Sequence, residues 1–144
     1  ENLIARHVEG LDSLRQLAAI GVDVAIDSFG TGGMMFSQIR SFDMLSLLKI
    51  DRSFVRELPY DQASRAAVEA MVLMARPLGL TPVAEGVEEE SQLEILRALG
   101  VRVMQGYLFN APGYADRVDP GSWFARHSDT QEATVGLVPV ETAR

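Results

Sequence analysis

Four short strings in this sequence collect residues able to do chemistry on a phosphate. Asp27 lies in Ile26-Asp27-Ser28-Phe29-Gly30-Thr31-Gly32. An acid followed by two glycines suits a hard-cation ligand beside a loop whose backbone can approach a phosphate closely. The same string also reads as an ordinary Gly-rich turn. Lys49-Ile50-Asp51 sets opposite charges at i and i+2, which on a strand places both side chains on one face. Lys49 could then hold a phosphate oxygen or an attacking water, with Asp51 orienting it; the alternative is a surface ion pair of little energetic worth. Glu85-Gly86-Val87-Glu88 offers Glu85 as a base toward a metal-bound water. Glu88, Glu89 and Glu90 also open a predicted helix, where negative charge favours the dipole, and for Glu89 and Glu90 that account is the better one. Gln105-Gly106-Tyr107 adds an amide and a phenol, usable against a phosphate or a nucleobase edge, or equally a buried Gln and a core Tyr.

The elements that must position these groups follow a repeated order. Leu17 to Asp27, Arg76 to Glu85 and Leu96 to Gln105 each carry an apolar helical tail, a Gly able to end a helix, a short β-rich run, then a polar residue. A fourth run, Leu45 to Asp51, delivers Lys49 and Asp51 after Leu47 and Leu48. Helical faces are predicted from Leu11, Leu14, Leu17 and Ala18; from Val68, Met71, Val72, Met74 and Ala75, with Asp61 or Ser64 as N-cap; and from Leu93, Leu96 and Leu99. Pro77 marks the end of the second of these helices. Strand and helix alternating at this spacing predict an α/β fold of parallel strands joined by crossover helices, and the continuous apolar runs predict strands buried on both faces. The polar groups then emerge at the C-terminal strand ends, where barrels and open sheets alike place their chemistry. About four such units fit the chain, whereas a closed (β/α)8 barrel takes about 250 residues. Periodicity alone leaves half a barrel and a small open sheet equally open. Residues 1–127 read as the folded unit and 128–144, which lack any period, as a flexible tail.

At 144 residues and 47% hydrophobic, the chain can bury one core. A net charge of -7 argues against a nucleic-acid polymer as partner, since such binding relies on Lys and Arg. It leaves room for a phosphorylated small ligand where a divalent cation inverts the local charge. No apolar run approaches the roughly 18 residues of a membrane span, so no membrane contact is expected from this segment. The absence of Cys excludes disulfides and thiolate metal sites and makes the cytoplasm the simplest location. An opening on Glu1 rather than Met reads as a piece cut from a longer chain. There is no arguable Ser-His-Asp or Cys-His set, P-loop or dinucleotide fingerprint.

Taken in order, the four strings resemble the EAL-domain phosphodiesterases. The family's Asp-Asp-Phe-Gly-Thr-Gly loop matches Asp27 to Gly32 with one change, and its Lys-Ile-Asp strand matches Lys49 to Asp51, followed by Arg52-Ser53-Phe54-Val55. Its Ala-Glu-Gly-Val-Glu string matches Ala84 to Glu88, and its Gln-Gly-Tyr-Leu-Phe string matches Gln105 to Phe109. Glu1 resembles the glutamate of the family's Thr-Glu motif, and the resemblance runs to about residue 112. It implies the C-terminal half of a (β/α)8 TIM-like barrel whose C-terminal face binds cyclic di-GMP and two Mg2+ or Mn2+ ions. The implied reaction is hydrolysis of one phosphodiester to the linear dinucleotide pGpG. By the same resemblance Glu1, Asp27 and Glu85 are metal ligands, Lys49 holds the nucleophilic water, and Glu85 is the general base. Glu88, Asp51 and Gln105 belong to the substrate side.

The departures are specific. Ser28 stands where the family has a second metal-binding Asp, and a hydroxyl is a far poorer ligand for a hard cation, so the second metal position is weakened. Gly33-Met34-Met35 replaces the usual Tyr-Ser-Ser, and Asn110-Ala111-Pro112 lacks the basic residue often found before that Pro. The family's Glu-Ala-Leu signature and Asn ligand are not in these residues. These changes imply impaired turnover. The alternatives are a degenerate cyclic di-GMP receptor and an inactive structural fragment. Expected partners besides cyclic di-GMP are neighbouring signalling domains of the parent chain and a second copy forming a homodimer.

Overall fold

Glycine ends each helix that feeds directly into a strand. In the computed structural model, which describes residues 2–31, 39 and 42–109, Gly21, Gly79 and Gly100 have φ of +87°, +71° and +84°. A Cβ is disfavoured there, so each helix stops and the chain turns into the sheet. Helix α1 (Asn2–Ala19) thus leads to β1 (Val24–Phe29). Strand β2 (Leu45–Ile50) passes straight into α2 (Arg52–Glu57) and then α3 (Gln62–Ala75). A short 3-10 turn, Arg76–Leu78, holds Pro77 where the sequence places the end of the helix, ahead of β3 (Thr81–Glu85). Helix α4 (Glu90–Ala98) leads to β4 (Val103–Gln105). Glu1, Gly32 to Met35, Asn110 to Pro112 and the 128–144 tail lie outside the described residues.

The four strands form one parallel sheet in the order β1-β2-β3-β4, each beside its neighbour in sequence. A doubly wound sheet reverses its order at a switch point, whereas a barrel keeps adding strands in one direction. This sheet is therefore wound as consecutive strands of a (β/α)8 barrel. Ile26, Leu48, Ile50, Ala84 and Met104 face the helices and pack with Val55, Leu58, Val68, Val72, Ala75, Leu93 and Leu96. The opposite face carries Ala25, Asp27, Leu47, Lys49, Val83, Glu85, Val103 and Gln105, of which only Val83 is fully buried. Burial on both faces, expected from the apolar runs, is thus found on one. The inner face of a barrel is covered from across the lumen, and these four strands provide no opposite wall. Helix α1 departs from expectation for a related reason: Leu14 and Leu17 on its predicted apolar face are exposed, as are Ile20 and Val22 beyond its end. Among the described residues no helix is long and apolar enough to cross a membrane.

Of the two N-cap candidates for α3 the structure selects Asp61. Its carboxylate accepts from the Ala63 N–H at 3.2 Å, the Ser64 N–H at 2.8 Å and the Ser64 hydroxyl at 2.7 Å. The Ser64 hydroxyl first, then these N–H groups, hold its pKa below the usual carboxylate range. Such a cap contributes fully above the unfolded value of about 3.9, and its contribution is lost as pH falls through the lower folded value. Asp61→Asn keeps an acceptor without the ionisable carboxylate. The variant is expected to lose part of the acid-side decline in helicity seen by circular dichroism below about pH 4. An identical decline in both proteins would show that the cap does not titrate.

Candidate active site

Asp27, Lys49, Glu85 and Gln105 form a lateral row on the sheet face that the helices leave uncovered. The Lys49 ammonium donates to Asp27 Oδ1 at 3.0 Å and is ion-paired with Glu85 Oε1, and Gln105 Nε2 donates to the same Glu85 oxygen at 3.3 Å. Parallel registration supplies the last contact, because Glu85 and Gln105 are direct partners across β3 and β4. The row runs from wet to dry: the Asp27 side chain is 71% exposed, Lys49 23% and Glu85 15%. Solvent screens the Asp27 arm strongly and the Glu85 arm much less. Burial pulls the Lys49 pKa down, but the hydrogen bonds and charges of Glu85 and Asp27 outweigh it and leave the group raised, firmly an ammonium.

A bulge re-aims the β1 end of this row. Ile26 pairs with Leu48 and Phe29 with Ile50, so three steps on β1 oppose two on β2. Ser28 takes up the difference at φ +50°, a left-handed conformation that Asp and Asn enter more readily than Ser. Its N–H donates to Asp27 Oδ1 at 3.0 Å, and its carbonyl accepts from the Thr31 hydroxyl at 3.0 Å. Gly30, at φ +100°, then lets the loop settle on the core, where a Cβ would stand 2.6 Å from both Met71 Cε and Phe54 Cε2.

Asp51 is placed differently from the sequence reading. Strand pairing stops at Ile50, and Lys49 pairs with Asp27 and Glu85 rather than with Asp51. Asp51 is the N-cap of α2, accepting from the Ser53 N–H at 2.9 Å and the Ser53 hydroxyl at 2.6 Å. The Ser53 hydroxyl first and then the Ser53 N–H draw its pKa down, outweighing desolvation, with lesser help from Ser28 and the Arg52 charge.

The loop from Gly86 to Glu89, carrying Glu88 beyond Glu85, is fixed from several sides. Gly86 sits at φ +70° with Arg52 Cβ 2.7 Å from where its own Cβ would be. Val87 N–H donates to the Gln105 carbonyl at 3.0 Å, and the Val87 carbonyl accepts from Leu108 N–H at 3.0 Å. A Cβ on Gly106 would collide with the Val87 backbone. Gln92, only 2% exposed, accepts through Oε1 from the N–H of Glu88 at 2.8 Å and of Glu89 at 3.1 Å. Sequence reasoning missed this residue, although Glu89 and Gln92 stand at capping-box spacing just ahead of an apolar run. Glu89 is the N-cap of α4 and accepts from the Ser91 hydroxyl, and Glu90 is the first residue of that helix, as the dipole argument has them. The Glu88 residue is exposed; Tyr107, at 67%, is not a core tyrosine.

The donor set has the chemistry of a hard divalent cation, since Asp27, Glu85 and Gln105 offer only oxygen ligands. It is also incomplete. Among the described residues no three His, Cys, Asp or Glu side chains converge, and both carboxylates of the row lie on one ammonium. Asp27 and Glu85 could supply ligands to one side of such a site.

The EAL domain family model matches residues 1–112. The bifunctional diguanylate cyclase/cyclic di-GMP phosphodiesterase MucR of Pseudomonas aeruginosa is 44% identical over 105 residues, 73% of this chain and 15% of MucR. A structure of the PaMucR phosphodiesterase in complex with c-di-GMP is 42% identical with a TM-score of 0.67, covering 77% of this chain and 44% of that one. The manganese and cyclic di-GMP complex of Klebsiella pneumoniae BlrP1 is 35% identical with a TM-score of 0.62, covering 68% of this chain and 25% of that one. The chain therefore spans less than half the length of these relatives, and its sheet is the C-terminal half of their barrel. By the extent of the family match and the sheet it shares with these neighbours, the chain belongs to the EAL domain family.

Proposed function

We propose that this chain supplies the C-terminal part of a cyclic di-GMP phosphodiesterase site that produces pGpG. The observation carrying the reading is the Lys49 ammonium held between Asp27 and Glu85, with Gln105 beside them, at the C-terminal ends of consecutive parallel strands. Asp27 and Glu85, with Glu1, would hold the cations. Mg2+ or Mn2+ bound there supplies positive charge that activates water and steadies a leaving oxygen. Lys49, fixed by two carboxylates, has a further N–H with which to hold the attacking water. Glu85 takes that water's proton on the oxygen not engaged by Lys49 and Gln105, as the water oxygen bonds to phosphorus, one P–O ester bond breaks, and the departing sugar oxygen takes a proton from solvent to become the hydroxyl of pGpG. Gln105, Glu88 and Asp51 serve the substrate side.

Ser28 favours a second reading on the same fold, a receptor that binds the nucleotide and turns it over slowly. Both readings belong in the cytoplasm, beside neighbouring signalling domains. Among the described residues no strand pairs with the outer edge of β1 or of β4, and a homodimer is one way to supply one. Calorimetric titration of the full-length protein with cyclic di-GMP, in Ca2+ to suppress turnover, tests what the two share. Binding is expected, and Gln105→Ala should weaken it roughly five- to tenfold, the worth of a hydrogen bond lost together with its support of Glu85. No heat up to high micromolar ligand would remove both readings.

A further inference from the structure

We propose that Gln92, which the reaction itself does not use, is a positioning residue for Glu85 and Glu88. The inference rests on the site reading above. Gln92 is a polar side chain buried to 2% exposure beneath the loop that separates those two carboxylates from helix α4. Burying an amide is costly unless its hydrogen bonds are made. Its oxygen makes two, to the consecutive N–H groups of Glu88 and Glu89.

The loop needs such an anchor. Gly86, directly after Glu85, has a backbone that could otherwise swing, and its neighbours are tied to other elements: Gly86 seats against Arg52 of α2, and Val87 bonds Gln105 and Leu108. Gln92 holds the backbone of the remaining stretch, whereas the Tyr60 and Ser91 hydroxyls reach only the Glu89 side chain. A neutral amide also suits the place, because Glu88, Glu89 and Glu90 already crowd negative charge at this end of the helix. Fixing the Glu88 backbone fixes where its carboxylate can stand. Fixing Val87 through the same short segment keeps Gln105 in register with Glu85, so that their side chains meet.

The test uses the full-length protein with two substitutions. Gln92→Met keeps volume and removes the acceptor; Gln92→Glu keeps the acceptor, which capping boxes use interchangeably with Gln. Amide hydrogen exchange should show Glu88 and Glu89 losing about tenfold or more of their protection in Q92M, while Val68 to Val72 of α3 keep theirs. Affinity for cyclic di-GMP in Ca2+ should fall in parallel by roughly the same factor, and Q92E, which keeps the acceptor but adds a charge beside Glu88 to Glu90, should restore both in part. Unchanged exchange at Glu88 and Glu89 in Q92M would overturn the anchor. Lost protection with unchanged affinity would reduce Gln92 to a helix cap and overturn the positioning role. A wild-type protein that binds no cyclic di-GMP while showing the expected exchange pattern would sink the site reading rather than the anchor, and the positioning claim with it.

Discussion

Ser28→Asp, in the full-length protein, is expected to raise Mn2+-dependent production of pGpG by an order of magnitude or more, a barrier lower by about 1.4 kcal/mol at least. The backbone favours the change, since Ser28 occupies a left-handed position inside a bulge that Asp adopts more easily than Ser. Electrostatics cut both ways. The new carboxylate would stand beside Asp27, which accepts the Ser28 N–H, and near enough to Asp51 for the two charges to interact. Without cation, three neighbouring acids repel and the variant should melt earlier than the parent. With Mn2+ that order should reverse, because the carboxylate is a far better ligand for a hard cation than the hydroxyl it replaces. Melting curves with and without Mn2+ therefore read the ligand role separately from turnover. The rescue has a second requirement if Gly33, Met34 and Met35 must also be restored. A parent protein already turning over at the variant's rate would make this an ordinary phosphodiesterase.

Gly106→Ala is expected to be the most damaging small substitution near the site, costing about 2–4 kcal/mol and lowering Tm by roughly 5–15 °C. The added carbon would meet the Val87 backbone, including its carbonyl carbon at 2.6 Å, and no rotamer change can relieve a clash with main chain. Relief would require parting the strands of the Gln105 turn and the Gly86 loop, which breaks the bonds from Val87 to Gln105 and from Leu108 to Val87. Glu85 and Gln105 would then separate, so cyclic di-GMP binding should fall further than stability alone predicts. Gly10→Ala is the matched control. It lies inside α1 with open space around it, and the same methyl should stabilise there by about 0.5–1 kcal/mol. Equal effects of the two substitutions on melting would show that the Gly106 contact is not tight.

Much of the architecture was readable because local chemistry and global fold agree. Gly21, Gly79 and Gly100 marked helix ends and each has positive φ, Asp61 was among the expected caps, and the strands end near the acids and amides singled out. What the residues did not show depends on register and on distance. The bulge at Ser28 comes from counting β1 against β2, which no single strand reveals. The capping role of Asp51 was not seen because i, i+2 alternation describes a strand and says nothing of the helix that starts directly after Ile50. The partners of Lys49 lie 22 residues before it and on the next strand after it, pairings that periodicity cannot supply. The half-covered sheet was hidden for another reason: apolar runs report what a strand is built to bury, not which element buries it.

The sequential order of the sheet also has a kinetic meaning. Each strand pairs with the one made just before it, so no strand must wait for a distant partner while the chain leaves the ribosome. β1 and β2 can dock first, with α2 and α3 closing over them, and β3 adds to a finished edge. Only the loop after Glu85 cannot be settled at that stage, since Val87 needs the Gln105 carbonyl and the Leu108 N–H, both synthesised about twenty residues later. The nascent chain thus acquires its scaffold well before its chemistry, and β4 sets the geometry of the row last.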